Sequence, residues 1–154
     1  MVSFSLDLNH DYAHPVVQLY GMFSIIDTGA IIPVFSLPRN IIESRFRGKL
    51  VYSDKSFGGF GGGEVRGDIY SFSNFYIKQL HFKTLEAFVP YSEDISYPLL
   101  FSYTMFLNTK FQFSPIEGKM YFSVDDDKMK DNEFLIKNLA DKICIQLNGV
   151  LYQI

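Results

Sequence analysis

Apolar and polar residues alternate strictly at the start of the chain: Val2, Phe4, Leu6 and Leu8 against Ser3, Ser5, Asp7 and Asn9. A period of two belongs to a β-strand with one buried face, so a half-buried strand is expected over residues 2–9. His10 to His14 reads as a polar turn closed by Pro15, and residues 16–19 as a second strand. Tyr20-Gly21 makes a bend. The run Met22-Phe23-Ser24-Ile25-Ile26 then predicts a buried strand that stops at Asp27. Ile31 to Phe35 continues apolar, with Pro33 demanding an edge or a break. Ser36 is placed to cap a short helix, with Pro38 near its first turn and Ile41, Ile42 and Phe46 on one face. Strand returns over residues 48–53.

Later segments keep the same short period. Strands are expected over residues 69–72, 75–82 and 84–89, with a turn near Gln79-Leu80. An acidic loop follows over 90–97, then a short buried strand over 98–101. Residues 102–108 read as a helical start capped by Ser102. Residues 111–113 and 119–124 form a hairpin about Pro115-Ile116-Glu117-Gly118. Glu133 to Leu139 predicts a helix resting on Phe134, Leu135 and Leu139. Residues 143–147 and 150–154 flank Asn148-Gly149, the strongest short hairpin signal. The pattern is that of a mainly β chain with one or two short helices, extended at its C-terminus by a helix and a β-hairpin.

Composition sharpens this picture. A length of 154 residues gives room for one domain and one core. Sixteen Phe and ten Tyr without Trp favour strands. The formal net charge of −3 lacks the basic footprint of a nucleic-acid binder. The single cysteine, Cys144, cannot form an intramolecular disulfide and fits a reducing compartment; between Ile143 and Ile145 it reads as a buried, inert thiol. The N-terminus lacks the features of a signal peptide, and no apolar run reaches membrane-spanning length. A cytoplasmic protein with no membrane partner is therefore expected. His10, His14 and His81 have no metal-ligand spacing. Asp125-Asp126-Asp127 lacks the glycine and distal glutamate of a calcium loop and reads as a solvated turn. Neither a metal nor another cofactor is expected.

Two stretches carry candidate chemistry. In Ile25-Ile26-Asp27-Thr28-Gly29-Ala30, a buried strand ends in a carboxylate, which is costly to hold unless hydrogen bonds or a shared charge compensate it. Thr28 offers a hydroxyl, and Gly29 permits close backbone approach. The second stretch, Ser56 to Asp68, is rich in glycine from Gly58 to Gly63. A phosphate cradle is one reading, but no Lys-Ser/Thr and no helix pattern follow. A hairpin tip or mobile loop between strands fits better, with a flexible linker as the alternative.

These segments, in this order, resemble the retropepsin-like aspartic proteases, the single-domain relatives of the retroviral enzymes. Ile25 to Ala30 is similar to the family's catalytic loop. Phe57 to Tyr70 is similar to its flap, and Pro98 to Leu107 to the apolar segment and short helix that follow. The resemblance spans roughly residues 3–124, with residues 125–154 as an extension of a single domain. Ser102 stands where the family has glycine. The resemblance implies a closed β-barrel of the acid-protease half type and an aspartic endopeptidase. It places Asp27, Thr28 and Gly29 in the catalytic loop, and Ala30, Gly58, Gly59, Phe60, Gly61 and Gly62 against substrate. With one Asp-Thr-Gly per chain, it implies a homodimer acting on peptide or protein. Two other readings stay open: a dimer of this fold that binds peptide or protein without cleaving it, and an unrelated small-ligand β-barrel.

Overall fold

Thirteen strands, paired mostly antiparallel, carry the fold in the computed structural model, which describes residues 1–9, 15–58, 63–92, 97–139 and 142–153. In chain order these are β1 (Val2–Asp7), β2 (Val16–Leu19), β3 (Met22–Asp27), β4 (Val34–Phe35), β5 (Lys49–Phe57), β6 (Val65–Ile77), β7 (Leu80–Pro90), β8 (Leu99–Ser102), β9 (Thr109–Ser114), β10 (Lys119–Val124), β11 (Asn132–Leu139), β12 (Lys142–Leu147) and β13 (Val150–Gln153). Among the described residues one α-helix, α1 (Arg39–Ser44), and two single 3-10 turns (Tyr103–Phe106 and Asp126–Lys128) interrupt them. No helix among the described residues is long and apolar enough to cross a membrane.

Ten strands form one sheet, ordered β13-β12-β11-β7-β4-β8-β3-β2, with β6 on β7 and β5 on β6. Among the described residues the path ends at β2 and β13, and β5, paired to β6 alone, is a further edge. β7 is the hub: β6 pairs along its length, while β11 and β4 pair in parallel with its first and second halves. Its second half is accordingly buried on both faces. At Gly67 the two backbones nearly touch, since a Cβ there would lie 2.3 Å from the Val89 carbonyl oxygen. A second, three-stranded sheet orders β1-β10-β9.

Aromatic rings fill the space between. Phe35 packs against Phe72, Phe75 and Phe101, with ring centroids 5.1, 5.5 and 6.0 Å apart. Phe4 stacks on Phe122 at 4.8 Å, and Phe106 from the first 3-10 turn reaches Phe122 at 5.7 Å. That turn thereby joins the small sheet to the large one. Two hairpins turn through residues with positive φ, Tyr20-Gly21 (56° and 72°) and Asn148-Gly149 (51° and 84°). Positive φ at both central residues matches the right-handed twist of the flanking strands.

The expected helix over 133–139 is a strand instead. β11 buries Asn132, Phe134 and Ile136 in strict alternation, a period of two and not 3.6. A seven-residue helix has little stability of its own, whereas β7 offers an open edge to which residues 132–134 hydrogen-bond in parallel. Asn132 completes the junction, donating to the carbonyls of His81 (3.0 Å) and Lys128 (2.9 Å) and accepting from Asn148 Nδ2 (2.8 Å). Ser36 does not cap α1: Pro38 occupies the cap position, and the Ser36 hydroxyl is buried without a hydrogen-bond partner among the described residues. The strands expected over 69–72 and 75–82 are the single strand β6 and the start of β7, with the turn at Lys78-Gln79. Cys144 is buried in β12, as expected. His81 is structural, its Nε2 bonded to Asn74 Oδ1 and its Nδ1 accepting from the Asp131 N–H. His10 and His14 lie outside the described residues.

Candidate active site

The candidate carboxylate stands where a buried ladder stops. β3 pairs in parallel with β8, Ile25 with Leu100, Ile26 with Phe101 and Asp27 with Ser102. Ser24, Ile25 and Ile26 are buried, Asp27 is half-buried, and Thr28 and Gly29 are exposed. The Gly29 N–H donates to Asp27 Oδ1 at 2.9 Å, and the Ala30 N–H to the Asp27 carbonyl at 3.2 Å. A backbone donor aimed at a carboxylate is a charge-assisted bond that fixes the side chain's direction. A methyl group at Gly29 would stand 3.4 Å from that oxygen, an ordinary contact. Folding of the single chain therefore does not demand glycine at this position.

Behind the loop lies a hydroxyl pair. Thr104 Oγ1 donates to the Ile31 carbonyl at 2.5 Å and lies 2.7 Å from Ser102 Oγ. A hydroxyl has one proton, so Thr104, already donating to the Ile31 carbonyl, accepts from Ser102. Both side chains are buried, at 0% and 1% exposure. Ser102 therefore turns its hydroxyl into the protein and supports Thr104, which anchors the far end of the Asp27 loop to the 3-10 turn.

Asp27, Gly29 and Ala30 form one side of a cleft of about 220 Å³, together with Ile31 and Ile32. The cleft is also lined by Phe57 and Gly58, at the end of β5, with Leu100 of β8 and Ile143 of β12. Phe57 is held edge-on against Phe88, with ring centroids 4.7 Å apart, so the root of the β5–β6 hairpin is anchored beside the cleft. Of the sequence candidates, the structure brings Asp27, Gly29, Ala30 and Gly58 together. Thr28 belongs to the same exposed turn without lining the cleft. Gly59, Phe60, Gly61 and Gly62 lie outside the described residues. Sequence reasoning missed Leu100, Thr104 and Ile143. Ile143 had no signal at all, because only tertiary folding carries β12 to this place.

Among the described residues, Asp27 alone supplies a carboxylate to this cleft, and no group of three acidic, His or Cys side chains is arranged to hold a metal. The buried Asp68 has a different role. It accepts from Arg39, from the Tyr91 hydroxyl at 2.6 Å and from the Asp54 N–H at 3.0 Å, a set that satisfies it within the fold. The hydrogen bond to Asp68 raises the Tyr91 phenol above its ordinary value.

No protein-family model matches the sequence, and no curated protein matches it. Among solved structures, the chain is similar to the crystal structure of a retropepsin-like aspartic protease from Rickettsia conorii. The TM-score is 0.55 at 16% sequence identity, over 80% of this chain and 91% of that one. At that identity the likeness speaks for the fold: a retropepsin-like, all-β architecture.

Proposed function

We propose that this chain is an aspartic endopeptidase that works as a homodimer, with one Asp27 from each subunit facing the substrate. The observation that carries the reading is Asp27 itself, oriented by Gly29 at the mouth of a largely apolar cleft in a retropepsin-like fold. One carboxylate cannot serve as base and acid at once. In the dimer, the ionised Asp27 takes a proton from water while the partner's Asp27 donates one to the substrate carbonyl oxygen. The water oxygen bonds to the carbonyl carbon. The resulting tetrahedral diol collapses: one hydroxyl returns its proton to the partner's Asp27 as the C=O bond reforms, the C–N bond breaks, and the leaving nitrogen takes the proton that the first Asp27 removed from water. The β5–β6 hairpin serves as the flap, with its glycine-rich tip closing over an extended peptide. Substrate binding then involves Ala30 and residues 58–62. Buried, unpaired Cys144 suits a reducing compartment such as the cytoplasm.

A non-catalytic dimer of this fold rests on Ser102 in place of the family's glycine and on the extension beyond residue 124. In the structure that side chain is fully buried, engaged by Thr104 and absent from the cleft wall, so it does not favour loss of catalysis. The test is cleavage of an apolar peptide library by the wild type and by Asp27→Asn. Cleavage blocked by a transition-state mimic with a central hydroxyl, bell-shaped in pH, and lost by at least about a thousandfold in the variant supports the proposal. A pure variant that retains activity, or a wild type that cleaves nothing, refutes it.

A further inference from the structure

One extra residue in β5 decides which side chains reach the Asp27 cleft. Tyr52 pairs with Ile69 and Lys55 with Gly67, so Ser53 and Asp54 together stand opposite Asp68 alone. This is a β-bulge, and Asp54 takes the left-handed conformation, with φ at 55°. Along a regular strand, residues 52 and 55 would face opposite ways. Here Tyr52, Lys55 and Phe57 line one hollow with Ile69. Beyond the bulge, Lys55, Ser56 and Phe57 pair in order with Gly67, Arg66 and Val65. Phe57 thereby meets Phe88 edge-on and, with the adjoining Gly58, lines the cleft.

Asp68 grips the bulge from the opposite strand. Its side chain is 2% exposed. Oδ1 accepts the Asp54 N–H at 3.0 Å and the Tyr91 hydroxyl at 2.6 Å, and Oδ2 accepts from Arg39. The Asp54 N–H also reaches the Tyr91 hydroxyl oxygen at 3.2 Å. One buried carboxylate thus ties the bulge to α1 and to the residue that follows β7. Hydrogen bonds to an ionised acceptor are about twice as strong as neutral ones. The Asp54 side chain pairs separately with Arg66, but both are exposed, and such a pair contributes little. Asp54 lies three residues before Phe57. Slipping the ladder beyond the bulge by one residue would turn Phe57 to the opposite face.

We propose that Asp68 is a positioning residue for the Asp27 cleft: it fixes the β5 bulge at Asp54, and the bulge sets the register that puts Phe57 and Gly58 in the cleft wall. Its effect on substrate rests on the reading of that cleft as a peptide site. Asp68 itself touches no substrate and acts through Asp54. Deleting Asp54 removes the extra residue and leaves Tyr52 and Lys55 on one face of a regular strand. In that background the register no longer needs Asp68.

The test compares Asp68→Ala, Asp68→Asn, deletion of Asp54, and that deletion combined with Asp68→Ala, all in the full-length chain. The first readout is amide exchange over residues 55–57. The second is calorimetric titration of an apolar hexapeptide mimic with a central hydroxyl in place of the scissile carbonyl. Asp68→Ala should speed exchange and weaken the mimic by about tenfold each, the scale of one lost hydrogen bond. Asp68→Asn keeps an acceptor for the Asp54 N–H, so both readouts should stay within about twofold of wild type, although urea unfolds it earlier. In the deletion background, Asp68→Ala should change neither readout by more than about twofold. Tyr91→Phe removes one acceptor of the Asp54 N–H from an exposed side chain; it should show about threefold effects and replaces Asp68→Ala if the alanine chain does not fold. Wild-type exchange in Asp68→Ala or its replacement, a loss in Asp68→Asn as large as in Asp68→Ala, or an equal loss with and without Asp54 overturns the positioning role. Asp27-dependent cleavage with mimic binding indifferent to Asp68→Ala would refute that role and leave the protease reading intact. Faster exchange that the deletion rescues, in a chain whose wild type neither binds the mimic nor cleaves, would do the opposite.

Discussion

Removing the Thr104 hydroxyl tests how the Asp27 loop is held. Thr104→Val keeps the shape of a side chain that is 1% exposed and deletes both of its hydrogen bonds. The Ser102 hydroxyl is then left buried and unpaired, at a penalty of about 1–3 kcal/mol. The Ile31 carbonyl loses its donor too, but Ile31 is half-buried and water recovers part of that loss, leaving about 1 kcal/mol. The sum is about 3 kcal/mol, or a melting temperature lower by about 6–12 °C for a chain of this size. Ser102→Ala should lose only about 1 kcal/mol, because Thr104 still donates to Ile31. The sharper prediction is one of sign. In the double variant no orphaned serine hydroxyl remains, so Ser102→Ala/Thr104→Val should be at least as stable as Thr104→Val alone. Urea unfolding of the four proteins measures all three differences. A Thr104→Val protein within about 0.5 kcal/mol of wild type, or a double variant showing the full sum of the single losses, would refute the described relay.

Two further predictions concern stability. Gly67→Ala should destabilise by more than about 2 kcal/mol, because its Cβ would meet the backbone of Val89 and Pro90 at 2.3 and 2.7 Å; Gly58→Ala, whose Cβ would meet none of the described residues within 4 Å, should stay within about 0.5 kcal/mol of wild type. Equal losses in urea unfolding would contradict the close β6–β7 approach. Burial raises the Glu86 carboxyl above its ordinary value, against the lowering effects of the Ile136 N–H and Lys137. A raised folded-state pKa favours the neutral form, so the contribution of Glu86 is fully present below the unfolded value and is lost as pH rises through the folded one. Relative to Glu86→Gln, the wild type should lose stability as pH rises above the ordinary glutamate range. A difference that is constant from pH 4 to 8, or that grows in the wild type's favour, would show the sign to be wrong.

Local patterns explain the parts of the fold that sequence reading captures. The alternation in β1, the apolar approach to Asp27 and the Asn148-Gly149 turn each encode their geometry within a few residues. β11 was illegible because Glu133 to Leu139 contains Phe134, Leu135 and Leu139, which accommodate a helical stripe, while the deciding factor is the open edge of β7 some fifty residues earlier. The same holds for the site. Asp27, Gly29, Ala30 and Gly58 are visible as motif residues, and the structure places them around one cleft. Ile143 and Thr104 reach that region only through the sheet order and the turn after β8. Ser102 was legible as a departure from the family pattern but not in its consequence, which depends on Thr104 two residues away.

Activity in mixtures of wild-type and Asp27→Asn chains tests the central claim, a site completed by Asp27 from two subunits. Total protein is held constant above the dimer dissociation constant, the chains are allowed to exchange, and cleavage is followed as the wild-type fraction falls. Random pairing makes the fraction of fully wild-type dimers the square of that fraction, about one quarter in an equal mixture. The account predicts that activity follows this square, because a heterodimer has only one ionisable member. Activity strictly proportional to the wild-type fraction, in samples that sedimentation shows to be fully exchanged, would mean that one Asp27 suffices and would contradict the account.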